Sequence, residues 1–245
     1  MSSDRPQDKL YSNILGEIAD FSFDEGVANV FPDMLQRSVT GSSKIINMIG
    51  ILAGRYMQPH SQSYDLGCSL GAASLSMRNR ITHTARHLIA VDNAQAMAER
   101  CRQNLSSDYS ELPVEVVCDD VRNIAITNAS IVILNFTLQF ISPEDRNNLL
   151  SKIYSGLLPG GCLIVSEKVF FEEEGEDEFC NDMHYAFKKS NGYSDLEISQ
   201  KRTALEKVII PDTLDVHTKR LQQTGFKQVY TWFQCLNFAS MVAIK

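Results

Sequence analysis

The stretch YDLGCSLGAASL, residues 64–75, decides how the rest of the chain is read. A short apolar run reaches an acid, Asp65, and a loop with two glycines and a serine follows. Small residues then open a helical pattern. Gly67 permits a tight turn and close approach to the backbone, and Gly71 lets the following helix pack near the strand. The start of that helix offers free N–H groups and a partial positive charge, a setting for a carboxylate or a phosphate. The spacing is D-x-G-x-S-x-G, not G-x-G-x-x-G. Alone it is weak, because turns need glycine for other reasons.

Both sides of this loop carry a rhythm. SYDLG, HLIAVD, VEVVCDD, SIVILNF and GCLIVSEKV are short β-rich runs. AASLSMRNR, AQAMAERCRQNL and SPEDRNNLLSKIYSGL lie between them at helical spacing. Ser142 followed by Pro143 reads as a cap and first helical position. Strands alternating with helices predict a parallel sheet covered on both faces, with every strand's carboxyl end along one edge. Upstream, VANVFPDMLQRS and SKIINMIGILAGRYM read as two helices, Pro32 interrupting the first and Ser42 or Ser43 capping the second. Residues 170–220 are mainly helical and polar, an insertion over that edge. TLDVHTKRLQQTGF is a helix stopped by Gly225, and KQVYTWFQCLNFASMVAIK closes the chain as two strands about a short turn. The expectation is one α/β unit over residues 1–245, made of a helical segment (1–60), a Rossmann-like core (61–169), the insertion (170–220) and a strand pair (221–245). Its sheet has seven strands, one of them antiparallel.

Bulk composition excludes several classes. The 245 residues are 44% hydrophobic, with no apolar run of membrane-spanning length. The polar start MSSDRPQDKL is unlike a secretory signal, so the expected location is the cytoplasm. Cys68, Cys101, Cys118, Cys162, Cys180 and Cys235 are scattered, with no C-x-x-C pair, which argues against a zinc site or disulfide framework. Net charge is −7, and the local basic clusters are two short ones, FKKSN and SQKR. A grip on nucleic acid through phosphates is therefore not expected. The acidic run FFEEEGEDEFCND, residues 170–182, reads as an exposed helix start or lid rather than a metal site. His184 and His217 read as interface or surface residues.

Ligands of such sheets settle beyond the strand carboxyl ends where strand order reverses. Four successive ends carry suitable groups. Asp92, in IAVDN, is placed to accept both hydroxyls of a ribose. CDDV puts Asp119 or Asp120 where an adenine amino group donates. LNF brings Asn135 and Phe136 to the same cleft. Each has a plain alternative: Asp65 capping a turn, Asp92 and Asn93 as ordinary loop residues. Together they point to an adenosine with a charged tail, and with the D-x-G-x-S-x-G loop they resemble the class I fold that binds S-adenosylmethionine.

The resemblance is more specific. FDEGVANVFPDMLQRSV, YDLGCSLGAASLS, NASIVILNFTLQF, NGYSDLEISQKRTALE and WFQCLNFASMVAIK resemble the carboxy-S-adenosyl-L-methionine synthase family of bacterial tRNA wobble-uridine modification, from about residue 20 to the C-terminus. Membership implies a homodimer that uses S-adenosylmethionine and prephenate and yields carboxy-S-adenosylmethionine and phenylpyruvate, without a metal. A partner tRNA carboxymethyltransferase then consumes the product. By motif, Gly67, Cys68 and Ser69 would contact the methionine portion, Asp92 and Asn93 the ribose, Asp120 and Val121 the adenine, and Asn135 the reacting end. Arg202, in SQKRTALE, would hold the new carboxylate from the neighbouring subunit; its plain alternative is a surface arginine paired with Glu206. The family commonly reads SVPGYS where this chain has SVTGSS, so Ser42 stands in place of a ligand-contacting tyrosine. Phe21 or Phe23 is placed to compensate. A small-molecule methyltransferase is the other enzymatic reading, although LNFTLQF lacks the N-P-P-Y type of acceptor site. A non-catalytic nucleoside-binding module is the third.

Overall fold

A computed structural model describes residues 6–81 and 87–245. In chain order the elements are α1 (Glu25–Ser38), α2 (Ser42–Tyr56), β1 (Gln62–Leu66), α3 (Ala72–Arg78), β2 (His87–Asp92), α4 (Gln95–Ser106), β3 (Val114–Cys118), β4 (Ala129–Asn135), α5 (Pro143–Gly156), β5 (Leu157–Lys168), α6 (Glu174–Ser190), α7 (Asp195–Leu205), α8 (Leu214–Thr224), β6 (Gln228–Cys235) and β7 (Phe238–Ile244). The strands form one seven-membered sheet in the order β3-β2-β1-β4-β5-β7-β6, with β7 antiparallel to both neighbours. The predicted α/β architecture and its single antiparallel strand are both present.

Period-two alternation in β4 shows how the sheet is buried on both faces. Ile131 and Ile133 point to one side, where α2 and α3 cover them with Ile45, Ile49, Ala53 and Met77. Val132 and Leu134 point to the other, under Leu149, Leu150 and Ile153 of α5 and Leu221 of α8. All four are fully buried, each contributing roughly 1.5–3 kcal/mol of transfer free energy. Because β1 pairs in parallel with β2 on one side and β4 on the other, strand order reverses at β1. The crevice that this fold offers a ligand opens there.

Three local expectations are corrected. Helix α1 runs unbroken through Pro32, because Val27, Val30 and Met34 hold its apolar face against the fold at the cost of one N–H bond. Neither Ser42 nor Ser43 caps α2. Gly41 does, at φ +75°, and the Phe233 ring sits 2.3 Å from where a Cβ would lie. Ser142 stands at the N-cap of α5 with Pro143 opening the helix, as the sequence predicts, and its hydroxyl bonds the Asp145 carboxylate. His184 and His217 are also not on the surface of the chain. Both are buried, and burial holds them neutral, with pKa values lowered to about 3 and about 4.

Candidate active site

The loop after β1 turns on three residues with positive φ, Gly67 (+83°), Ser69 (+50°) and Gly71 (+84°). A Cβ at residue 67 would meet Thr137 Oγ1 at 2.3 Å, and one at residue 71 would meet Cys101 Sγ at 2.9 Å. Glycine is thus required sterically as well as conformationally. The N–H groups of Gly67 and Cys68 both donate to the Val91 carbonyl, 2.8 Å each, which stitches the loop to β2. Below it, Asp65 is fully buried and accepts the Ser74 hydroxyl at 2.6 Å, joining β1 to α3. Burial pushes its carboxyl up to about 6. Cys68 is buried with its Sγ 3.8 Å from that of Cys101; this contact and burial hold its thiol protonated.

Asp92, at the tip of β2, is the hinge of the cradle. Its Oδ2 accepts the Ser69 N–H at 2.8 Å and its Oδ1 the Ala94 N–H at 2.9 Å. Burial raises its pKa, and these two bonds pull it back. Each oxygen keeps a lone pair, so the carboxylate can still accept a ribose hydroxyl on either side. Asn93 beside it is exposed. At the tip of β3, Arg122 clamps Asp120 through Nε at 3.0 Å and Nη2 at 2.7 Å, and lowers its pKa. Val121 next to it is buried, an apolar wall for a base. Asn135 ends β4. Its Oδ1 is shut off from solvent and accepts no hydrogen bond from any described residue. An orphaned buried acceptor costs about 1–3 kcal/mol, and a ligand donor at the switch point would recover it. The cradle therefore fits a nucleoside with an amino-acid tail.

The N-terminal segment roofs the loop. Phe21 packs with Leu70, Met97 and Ala204, and its N–H donates to the Ala204 carbonyl at 3.0 Å. Phe23 lies edge-on to Phe21, Phe31 and Phe140, with centroids 5.1, 6.0 and 5.4 Å away. Both aromatics thus stand over the strand tips. Ser42, by contrast, begins α2 beside the β6–β7 turn, where the Thr40 hydroxyl donates to the Cys235 carbonyl.

Arg202 lies exposed in the last turn of α7 and forms no ion pair with Glu206 or any other described acid. Burial lowers the pKa of Lys168, His184 and Lys188 of the same chain, and the charge of Arg202 adds to the effect on each. Lys168 and Lys188 were not anticipated as site residues. A signal existed for each: Lys168 is a fifth strand tip, in SEKV, and Lys188 belongs to FKKSN, one of the two basic clusters.

Residues 64–161 match the methyltransferase-domain family profile. A carboxy-S-adenosyl-L-methionine synthase of Aliivibrio fischeri is 56% identical over 238 residues, covering 97% of this chain and 98% of its own. One of Vibrio cholerae is 55% identical over 244 residues, covering 100% and 99%. Among solved structures, human N-acetylserotonin methyltransferase in complex with S-adenosylmethionine superposes with a TM-score of 0.61 at 15% identity, over 90% of this chain and 55% of that one. The cyclopropane synthase MmaA2 of Mycobacterium tuberculosis gives 0.56 at 12% identity, over 76% and 62%. Those two likenesses establish the fold.

Proposed function

The chain belongs to the carboxy-S-adenosyl-L-methionine synthase family, an enzyme acting on S-adenosyl-L-methionine, and on that premise we propose that prephenate is the second substrate and carboxy-S-adenosyl-L-methionine the product. The observation that carries this is identity above one half along the entire chain with synthases of that name. In the reaction the sulfonium acidifies its methyl C–H bonds. Prephenate loses its ring carboxylate as carbon dioxide and its ring hydroxyl as hydroxide, giving phenylpyruvate with an aromatic ring. The hydroxide takes a methyl proton to become water, and the methyl carbon, now an ylide, bonds to the carbon dioxide. Protein groups position the two reactants, exclude water and complement charge.

Each residue then has a task. Gly67, Cys68 and Ser69 line the methionine portion, Asp92 and Asn93 the ribose, Asp120 and Val121 the adenine, and Asn135 the reacting end. Arg202 is the group with the donor fork for the new carboxylate. That it forms no ion pair among the described residues supports that role. The chain works as a homodimer that lends Arg202 across its two-fold axis. Phe170, Phe179, Met183 and Leu196, large apolar side chains left exposed around α6 and α7, support a contact there. The net charge of −7 favours a role upstream of RNA, the product passing to a separate tRNA carboxymethyltransferase that modifies a wobble uridine. Among the described residues no helix is long and apolar enough to cross a membrane, and a cytoplasmic setting suits these substrates.

Mass spectrometry of the small molecules released on denaturing the purified protein tests this reading. The expected ligand is heavier than S-adenosylmethionine by one carboxyl group. S-adenosylmethionine or its homocysteine product alone, together with methyl transfer to a cell extract, would identify a methyltransferase instead.

A further inference from the structure

The two short basic clusters of the sequence meet in space. Lys168 ends β5, Lys188 lies in the last turn of α6 from FKKSN, and Lys201 and Arg202 come from SQKR on α7. Lys201 is accounted for: its Nζ bonds Asp8 Oδ2 at 3.2 Å and Ser38 Oγ at 3.3 Å. Lys168 and Lys188 are both partly buried, and neither side chain donates a hydrogen bond or forms an ion pair among the described residues. The acid that bears on Lys168 is Asp177, whose two oxygens are already engaged by Phe171 N–H and Asn181. Lys188 is faced by Lys168, Lys201 and Arg202. Half-buried cations gathered without counter-ions raise the energy of the fold, and an anion placed among them lowers it.

Strand register fixes where this group stands relative to the cradle. Asn135 of β4 is paired with Ser166 of β5, and Lys168 lies two residues further along the same face, about 7 Å on. Lys168 is in turn paired with Phe238 of β7. The His184 ring lies edge-on to Phe238 at 5.0 Å, and Phe238 to Phe136 at 5.9 Å. His184 Nε2, its proton held by the Ser38 carbonyl at 2.7 Å, fixes α6 so that Lys188, one turn on, overhangs the same place. The lysines thus border Asn135 on the side away from the glycine loop, over a floor of aromatic rings.

We propose that Lys168 and Lys188 form the seat of the donor substrate, binding the carboxylate that is not transferred of a small cyclic dicarboxylic acid whose ring becomes aromatic only in the product, while its other carboxylate faces Asn135 and the sulfonium. This rests on the reaction assigned above. The aromatic floor takes the ring and the two ammonium groups take the retained acid, whichever subunit Arg202 serves. A monocarboxylate analogue would bind less tightly, which makes the seat a selector for donors with two acids.

The test compares wild type with Lys168→Met, Lys188→Met and Lys188→Arg in steady-state turnover with prephenate, alongside calorimetric titrations of S-adenosylmethionine and of malonate. Each methionine variant is expected to raise KM for prephenate about tenfold or more, since a charge-assisted bond is lost. S-adenosylmethionine affinity should stay unchanged, malonate binding should weaken in parallel, and Lys188→Arg should restore KM. Unchanged KM and malonate affinity in both methionine variants would overturn the seat while leaving the reaction intact. A wild type that turns nothing over would remove the reaction, and malonate binding lost in the methionine variants would still uphold an anion seat.

Discussion

Two groups of positive charge flank the carboxyl edge of the sheet, one on each face, and they differ in their company. On the α5 face Arg146 is fully buried and fully answered. Its Nε donates to the Ile141 carbonyl at 2.9 Å, Nη1 to Asp212 Oδ2 at 2.6 Å and Nη2 to the Ile210 carbonyl at 2.7 Å. Arg220 shares Asp212 at 2.8 Å. On the α2 face Lys168, Lys188 and Arg202 form no ion pair among the described residues. Burial of charge is therefore no mark of function in this molecule. Arg146 is buried to hold the chain between β4 and α5 to the segment before α8. The lysines are less buried and more costly, because no described residue partners them. A buried charge with each nitrogen bonded is architecture here, and the partly buried pair with none bonded is the proposed seat.

The contrast can be broken by four measurements, taken from the largest expected effect down. Arg146→Met removes one member of a buried pair, leaves two carbonyls without their donor and leaves Asp212 with Arg220 alone. A loss of about 3–5 kcal/mol is expected in urea unfolding, with little change in KM for the folded fraction. A loss below 1 kcal/mol would erase the distinction between the two faces. Asp92→Ala unties both loops of the cradle, and S-adenosylmethionine affinity should fall about 10- to 100-fold by calorimetry, the value of one or two charge-assisted bonds. Unchanged affinity would mean that Asp92 serves the fold alone.

The third concerns Asp65, whose carboxyl is raised to about 6 by burial. The folded protein then holds a proton that the unfolded chain releases near 3.8, so stability is greatest below that pH and falls as pH rises through about 6. Asp65→Asn should gain on wild type by on the order of 2 kcal/mol between pH 4 and 7, followed by denaturant midpoint. A constant difference across that range would refute the assignment. The smallest effect belongs to Lys188, lowered to about 7 first by burial and then by Lys168, Lys201 and Arg202. Its charged form destabilises the fold fully below about pH 7, and this fades towards the ordinary lysine value. Lys188→Met should therefore stabilise the protein by about 1 kcal/mol at pH 6 and by nothing above pH 10. A destabilised variant would show that a counter-ion within the chain had been overlooked.

How much could be read beforehand follows from the range of each interaction. The strands of the core and the glycine loop were legible because alternation and left-handed turns are local: SIVILNF buries on both faces, and Gly67 and Gly71 both take positive φ. The closing hairpin was legible for the same reason. What escaped depends on distant partners. Ser42 looked like a cap until Phe233, nearly 200 positions away, took the space that only Gly41 leaves. Pro32 looked like a break, but packing of α1 outweighs one missing hydrogen bond. His184 read as an interface or surface residue because its acceptor, the Ser38 carbonyl, lies on another helix. FKKSN and SQKR read only as two short, separate basic clusters, since nothing in either foretells the other or the tip of β5.

The most direct test of the assigned chemistry is a single turnover with S-adenosylmethionine and prephenate carrying an isotope label in its ring carboxylate. The label is expected in the nucleoside product, in the new carboxylate one carbon removed from sulfur, with phenylpyruvate formed in equal amount. Label appearing only as free bicarbonate, with the nucleoside unchanged in mass, would contradict it.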